Sequence, residues 1–220
     1  VSRYASFGAT FGAQANLTIL PIFMFGTEAQ KKKYLPSLIA GDVVGASQTG
    51  SYLHGFTWTD GTMTDLGDLG GQGSWAYDVN AVGQVVGGSP LGSGDNHAFL
   101  WQNGRMRSLG FLRGGRASEA VALNERGQIV GWSESGVRNK ESGALASHAV
   151  LWQNGTMTNL GALPEFPESR AVDVNERGQV VGSASIKFDR KRHAFLWQNG
   201  RMRDLGTLGG GDSYATGVNE

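Results

Sequence analysis

A unit of about 45 residues that recurs four times constrains this chain of 220 residues more than any other feature. Each copy has a histidine, an apolar run, an Asn-Gly or Asp-Gly pair, and a second run that ends in Leu-Gly. The copies lie at 54–71, 97–115, 148–163 and 193–210. Asn-Gly between two strand-like runs predicts a hairpin, because both residues tolerate the positive φ angles of a type I′ turn. The period itself is typical of repeat architectures.

Each period holds four strand candidates joined by short turns, and short connections predict antiparallel neighbours. In the third period these candidates are 127–132, 148–153, 156–160 and 170–175. Asn-Glu-Arg-Gly turns at 124–127 and 175–178 connect the fourth strand of one unit to the first of the next. Their closing glycine suits a left-handed conformation. No helical period follows residue 41.

The side-chain pattern indicates small sheets that are covered on both faces. Phe195 and Trp197 share one face of their strand, while Ala194 and Leu196 share the other. A strand with one wet face would alternate apolar and polar residues. A four-stranded blade between two neighbours meets this demand. We therefore predict a mainly β fold, a β-propeller-like array of about four four-stranded antiparallel blades, with units near 41–82, 83–126, 127–177 and 178–220.

The insertions between units fall in one place, between the Gly-x-Val-Val-Gly motif and the next histidine. They predict surface loops that form a recognition surface, at 47–53, 89–96, 133–147 and 183–192. The candidate binding residues in these loops are basic: Arg138, Lys140, Arg190, Lys191 and Arg192. They either contact an anionic partner or are simply solvated. Strand 42–46 is also a candidate to complete the last blade and close the ring.

No residue pattern predicts catalysis, a cofactor or a metal. The four histidines recur at the start of the same strand, which favours a structural role, such as bonding a backbone carbonyl, over a shared metal. The tryptophans indicate blade core rather than sugar or base stacking. The glycine clusters at 70–71 and 208–212 lack the helix and lysine of a phosphate cradle, so they predict turns. No Ser/His/Asp order or paired carboxylates stand out.

Composition excludes further classes of function. The 19 lysines and arginines balance 19 aspartates and glutamates, so no nucleic-acid partner is predicted. The chain has no cysteine, which excludes disulfides and thiol chemistry. No apolar run reaches the roughly 18 residues that span a bilayer. The chain begins at Val1 without a signal-peptide pattern, and we expect a fragment.

Residues 1–40 lack the repeat and predict a helical hairpin. The alanine-rich stretch 5–20 is apolar almost all round, which indicates a buried helix that Pro21 ends. Thr27-Glu-Ala-Gln30 has the pattern of a capping box, so a second helix is predicted from Glu28 to about Leu35.

Part of this helical segment resembles the acyl-CoA dehydrogenase family. The similar residues are Phe25-Gly-Thr-Glu-Ala-Gln-Lys-Lys-Lys-Tyr-Leu-Pro36, then Gly41-Asp42, with shorter matches at 11–14 and 20–22. In that family the stretch belongs to an all-helical domain and continues into a Thr-Glu-Pro segment that helps hold the flavin. In this chain, residues 47–56 have a different sequence from that flavin-binding segment, and the region of the catalytic glutamate is absent. The resemblance therefore implies no activity for this chain.

Residues 41–220 resemble the HAF family of extracellular repeats, named for the His-Ala-Phe triplet seen at 97–99 and 193–195. The third copy departs to His148-Ala-Val150 and the first to His54-Gly-Phe56. The resemblance implies a bacterial surface or secreted β-repeat protein, and it implies no reaction.

Together these patterns predict a chimeric chain, with a helical segment at 1–40 and a β-repeat domain at 41–220. The predicted function is a non-enzymatic binding or structural module with a protein or glycan ligand. The alternative is a remnant of a flavin-dependent acyl-CoA dehydrogenase fused to a repeat tail. Flavin bound to the purified protein would favour this alternative.

Overall fold

A computed structural model describes residues 42–140, 142–187 and 190–219. The helices predicted at 5–20 and 28–35 lie outside these residues. The described residues form fifteen strands and no helix. The strands are β1 (Val43–Thr49), β2 (Tyr52–Thr59), β3 (Thr62–Asp65), β4 (Trp75–Val79), β5 (Val85–Pro90), β6 (Asn96–Gln102), β7 (Arg105–Ser108), β8 (Ser118–Leu123), β9 (Ile129–Arg138), β10 (Leu145–Gln153), β11 (Thr156–Gly161), β12 (Glu168–Val174), β13 (Val180–Lys187), β14 (Arg190–Gln198) and β15 (Arg201–Asp204).

The strands form four antiparallel sheets in which sequence neighbours pair. The first sheet has the order β1-β2-β3, the second β4-β5-β6-β7, the third β8-β9-β10-β11 and the fourth β12-β13-β14-β15. The predicted mainly β, antiparallel class is confirmed. The sheets do not coincide with the predicted repeat units. The fourth strand of each predicted unit is instead the first strand of the next sheet, and the first sheet has three described strands.

The chain divides into two compact units. The described part of one comprises 42–43 and 59–62, where Thr59 Oγ1 donates a hydrogen bond of 2.6 Å to Asp42. The described part of the other comprises 44–58 and 63–219 and contains the packed sheets.

The Asn-Gly pairs form the predicted hairpin turns. Asn154 and Gly155 have φ angles of 52° and 76°, both positive as a type I′ turn requires. The pairs Asn103-Gly104, Asn199-Gly200 and Asp60-Gly61 share these signs. The closing glycine of the Asn-Glu-Arg-Gly turns is also left-handed, with φ of 70° at Gly127. These local predictions are confirmed.

A one-residue bulge recurs in the first strand pair of the second, third and fourth sheets. The pairing register skips Tyr77, Val121 and Val172. Beside the bulge lies the last glycine of the Gly-x-Val-Val-Gly motif. A Cβ atom on Gly131 would lie 2.0 Å from the carbonyl oxygen of Glu119, so no larger residue fits there. The repeated bulge therefore explains the repeated glycine.

Adjacent residues of one strand face different cores, as the two-sided apolar pattern predicts. In β9, Ile129 packs in a cluster with residues of the second sheet, whereas Val130 packs in a cluster with residues of the fourth. In β5, Val85 and Val86 divide in the same way between neighbouring clusters. The third sheet is therefore buried on both faces, between the second and the fourth.

Two structural expectations need correction. The segments predicted as loops are largely strand, because the insertions lengthen hairpins. Among the described residues, short tips at 50–51, 91–95, 139–140 and 142–144 lie between the paired strands. Ring closure through 42–46 is not found, because β1 pairs with β2 and joins no strand of the fourth sheet.

Candidate functional site

Each histidine bonds a polar side chain eleven residues later, on the last strand of its own sheet. His97 Nδ1 lies 3.0 Å from Ser108 Oγ, and His148 Nδ1 lies 3.1 Å from Asn159 Nδ2. The other two pairs are His54 with Asp65 and His193 with Asp204. The role is structural and repeated: the partner common to all four histidines is a side chain, and His148 also bonds the Pro167 backbone, the kind of contact that the sequence suggested.

Three members of the histidine pairs have shifted pKa values. Slight burial favours a higher pKa for Asp204, but hydrogen bonds from His193 and the Gly206 amide outweigh it, so this pKa lies below its usual value. Asp65 is shifted in the same direction, where the Gly67 amide and His54 outweigh burial. Burial lowers the pKa of His148, against the opposing effect of its hydrogen bonds.

Four serines tie each sheet to the strand or segment that follows it. Ser118 Oγ accepts a hydrogen bond of 3.0 Å from the Ala98 amide and donates one of 2.7 Å to the Gly110 carbonyl. The same pair of bonds occurs at Ser74, Ser169 and Ser213. These hydroxyls are therefore committed to packing rather than to chemistry.

Asparagines form a second tie, which we call the asparagine ladder: Asn80, Asn124 and Asn175. The Nδ2 atom of each donates to the main-chain carbonyl of the equivalent asparagine in the next unit, at 3.2, 2.9 and 2.8 Å. The Oδ1 atom of each accepts the amide of the glutamine four residues later. The ladder fixes the spacing of successive units.

Some of the four repeated tryptophans are core residues, and others are not. Trp152 is 4% exposed, and its indole nitrogen donates to the Leu109 carbonyl at 3.1 Å. Trp101 and Trp197 are half-buried against neighbouring clusters. Trp58 is 37% exposed, so the core prediction is wrong there. The equivalent residues Trp101, Trp152 and Trp197 each pack against the preceding sheet. Trp58 lies in the first sheet, and no sheet precedes it among the described residues.

A cleft of about 340 Å³ opens between the second and third sheets. Its lining includes buried Leu100, Ile129 and Trp152, half-buried Gln84, Gln102 and Gln153, and exposed Arg107 and Arg126. Polar groups make up most of the exposed lining of this cleft, and apolar side chains make up the rest, so a ligand that fits it is polar.

The polar groups of this cleft retain hydrogen-bonding capacity. Gln84 Nε2 donates to Gln102 Oε1 at 3.2 Å, and Gln153 Oε1 accepts from Gln128. The amide nitrogens of Gln102 and Gln153 donate to no described residue. Arg126 Nε lies 3.6 Å from a carboxylate oxygen of Glu176. The side chain of Arg107 makes no hydrogen bond or ion pair with any residue that the structure describes.

The basic residues singled out from the sequence lie at the opposite ends of the strands, in and beside the long hairpins. Arg138 Nη1 donates to the Gly143 carbonyl of its own hairpin at 2.7 Å, and Lys140 is exposed at the same tip. Lys191 Nζ lies 6.0 Å from the Phe166 ring, and the Arg192 guanidinium lies 5.4 Å from that of Tyr214. Arg190 begins β14, and its side chain lies outside the described set.

Asn139 joins the two hairpins that carry these basic residues. Its Nδ2 atom donates to Glu168 Oε1 at 2.7 Å and to the Ile186 carbonyl at 2.8 Å. The β9–β10 tip therefore contacts the end of β13. The sequence did not reveal this contact, nor the two cleft arginines, because the relevant elements meet only after the sheets stack.

Within the described part of the chain, no three His, Asp or Glu side chains are grouped as a metal site would require. The same residues include no helix that is long and apolar enough to cross a bilayer.

The sequence model of the acyl-CoA dehydrogenase N-terminal domain matches residues 1–42. A probable acyl-CoA dehydrogenase of Bacillus subtilis is 49% identical over 45 residues, which are 20% of this chain and 8% of that protein. Mitochondrial isovaleryl-CoA dehydrogenases of Pongo abelii and Bos taurus are each 51% identical over 39 residues, 18% of this chain and 9% of theirs. The dehydrogenase resemblance of the first segment is thus confirmed, and the chain spans less than a tenth of these relatives.

Proposed function

We propose that residues 41–220 are a non-enzymatic β-repeat binding module, with its sheets stacked as in an open propeller-like array. The observation that carries this is the cleft with Arg107 and Arg126 at its edge. The histidines, serines and asparagines that a reaction would need are instead bonded in the repeated structural ties. The likeness to HAF repeats supports a bacterial surface or secreted protein.

The cleft is suited to a small sugar acid. Guanidinium groups bind carboxylates through paired, charge-assisted hydrogen bonds. The glutamine amides both donate and accept, as sugar hydroxyls require. A volume of about 340 Å³ suits a ligand of one sugar ring.

The repeat provides an internal comparison for this proposal. Sequence equivalents of Arg107 and Arg126 are Thr64 and Val82 between the first two sheets, and Thr158 and Arg177 between the last two. Arginine therefore occupies both positions only between the second and third sheets. This difference argues that the pair is a property of one site and not of the repeat.

Titration of the labelled chain with sodium glucuronate, followed by amide NMR, tests the site. We expect the side-chain amide signals of Gln102 and Gln153 to shift, with no shift for glucose at equal concentration. Arg107→Ala and Arg126→Ala should each weaken binding about tenfold, the size expected for losing one charged hydrogen-bonded contact.

Arg203→Ala is the matched control, since Arg203 occupies the position of Arg107 on the fourth sheet. Equal losses in the control, or no shift with glucuronate, would contradict the cleft proposal. Loss of binding in a variant with Arg138, Lys140, Arg190, Lys191 and Arg192 replaced by serine, but not in Arg107→Ala, would place recognition on the long hairpins instead.

A second candidate function is a remnant of a flavin-dependent dehydrogenase fused to this repeat. The match of residues 1–42 to the dehydrogenase domain supports it. The absorbance spectrum of the purified chain after incubation with FAD is the test. A retained flavin band near 450 nm would favour the remnant, and a colourless protein after desalting would argue against it.

A further inference from the structure

The first strands of the second, third and fourth sheets contain both constant and changing positions. Each has the pattern Ser-x-Ala-x-x-x-Asn, at 74–80, 118–124 and 169–175. The serine, alanine and asparagine are buried in all three. The residue between serine and alanine differs each time and is Trp75, Glu119 or Arg170. Because three unlike side chains occupy the same backbone position, the fold does not specify this residue. Repeat proteins place their binding surfaces on such positions.

The residue opposite this position on the second strand of each sheet changes as well. Glu119 pairs with Trp132, whereas the equivalent pairs end in Gly88 and Ser183. Trp132 is therefore not one of the four repeated tryptophans. It lies where β9 begins its extension into the long hairpin that ends at the 139–144 tip. The changing positions are thus found at the end of the sheets where the insertions also occur.

Four side chains from the second, third and fourth sheets form a connected set, which we call the aromatic row: Tyr77, Glu119, Trp132 and Arg170. The Tyr77 hydroxyl donates to Glu119 Oε1 at 2.7 Å, and Trp132 Nε1 donates to Glu119 Oε2 at 2.9 Å. The Arg170 guanidinium lies 4.4 Å from the centroid of the Trp132 ring. These contacts hold the row in one arrangement, so binding a ligand there would cost little ordering of side chains.

The chemistry of the aromatic row favours a small neutral ligand. Tyr77 is 46% exposed, and the other three side chains are half-buried. So little exposed surface cannot supply the roughly 800 Å² that each partner contributes to a stable protein interface. The opposite charges of Glu119 and Arg170 balance, so the row does not select a charged ligand. Tyr77 and Trp132 use two of the about four lone pairs of the carboxylate, which can still accept a donor from a ligand.

We propose that the aromatic row is a second binding site, which takes one ring of a neutral, β-linked sugar. The apolar face of the ring packs against Tyr77 and Trp132, and a sugar hydroxyl donates to Glu119. Aromatic surfaces also bind proline-rich peptides, but proline has no backbone N–H with which to donate to the carboxylate. The site is independent of the cleft, which lies beside the 124–127 turn at the other end of β8.

Titration of the labelled chain with cellotriose, followed by the indole N–H signal of Trp132 in NMR spectra, tests the site. We expect this signal to shift with cellotriose and not with glucuronate at equal concentration. Tyr77→Ala should weaken cellotriose binding about tenfold, the size expected for losing one stacked ring. Tyr77→Phe keeps the ring and should weaken binding less. Tyr52→Ala is the matched control, since Tyr52 is 43% exposed on the first sheet, and it should bind like the parent chain.

Three outcomes would overturn the proposal. The first is an unchanged Trp132 signal at millimolar cellotriose, which requires no variant to fold. The second is an equal shift with glucuronate, which would show that the row does not select a neutral sugar. The third is a shift with decaproline but not with cellotriose, which would assign the row to peptide recognition. The cleft is followed separately through the side-chain amides of Gln102 and Gln153, so either site can fail without the other.

Discussion

Asn124 donates a hydrogen bond of 2.9 Å to the main-chain carbonyl of Asn175, the residue in the same position of the next unit. The same side chain donates to Gln128 Oε1 and accepts the Gln128 and Arg126 amides. One buried amide therefore closes its own turn and ties it to the next one.

Replacing Asn124 by alanine should lower the free energy of unfolding by about 3 kcal/mol, because several buried hydrogen bonds lose their partner. Urea denaturation followed by tryptophan fluorescence measures the change. Asn103→Gly is the control, since Asn103 is exposed in a left-handed turn position that glycine adopts freely. A loss below about 0.5 kcal/mol would mean that the ladder contributes little.

Gly131→Ala should destabilise the third sheet strongly. The new methyl group would meet the Glu119 carbonyl at 2.0 Å, so a strand pair must separate. Overpacking of this kind typically costs about 3 kcal/mol, more than the small gain from a stiffer unfolded chain. The measurement is thermal unfolding of Gly131→Ala and of the control Gly92→Ala. The difference between their melting temperatures separates the effect of the clash from the general effect of replacing glycine. Equal melting temperatures would refute the close approach.

Acid should destabilise the protein partly through His148. Its pKa is lowered by burial in the folded state, so the unfolded chain binds the proton more readily. This contribution to stability is present above the usual histidine pKa of 6.5 and is lost as the pH falls through the folded pKa. His148→Gln should therefore flatten the dependence of stability on pH between about 7 and 5. Thr156→Ala, at an exposed non-titrating position, should follow the parent curve.

At lower pH, Asp65 and Asp204 further reduce the stability of the folded protein as the pH falls. The pKa values of Asp65 and Asp204 lie below the usual 3.8, so the folded state releases their protons more readily. Their stabilisation is present above that value and is lost as the pH falls through the folded pKa. The difference between the His148→Gln and parent curves isolates the contribution of His148.

Tyr77 should resist ionisation in alkaline solution. Burial raises the pKa of its phenol, and the hydrogen bond of 2.7 Å to Glu119 raises it further. Ultraviolet titration of the parent and Tyr77→Phe chains isolates this group. Glu119→Gln should move the ionisation of Tyr77 to lower pH, because the neighbouring negative charge is removed. Ionisation near pH 10 in the parent chain would contradict the contact.

The sequence predicts those parts of the fold that depend on near neighbours. The hairpin across Asn154-Gly155 was predictable, since turn type and apolar pattern lie within a few residues. The hairpin extension at 133–138 was not, because a polar run such as Ser-Glu-Ser-Gly-Val-Arg becomes strand only through pairing with 145–148. Tertiary pairing overrides weak strand propensity there.

The candidate site was hidden for a related reason. Arg107 and Arg126 belong to different sheets, and only inter-sheet packing brings them to one cleft. The ladder left a sequence signal, an asparagine followed four residues later by glutamine in three units. The direction of the Asn124 bond, across to residue 175, could not be read from that spacing.

The asparagine ladder lies at the opposite ends of the strands from the long hairpins, since β9 runs from the Asn124 turn to the 139–144 tip. The asparagine ladder thus sets the distance between stacked sheets at one end of the strands, while the length of the hairpins varies at the other end. Foreign peptides grafted into the tips, with Asn139 and its bonds to Glu168 and Ile186 retained, should leave the scaffold's geometry intact, which makes the module a natural frame for displaying diversified sequences.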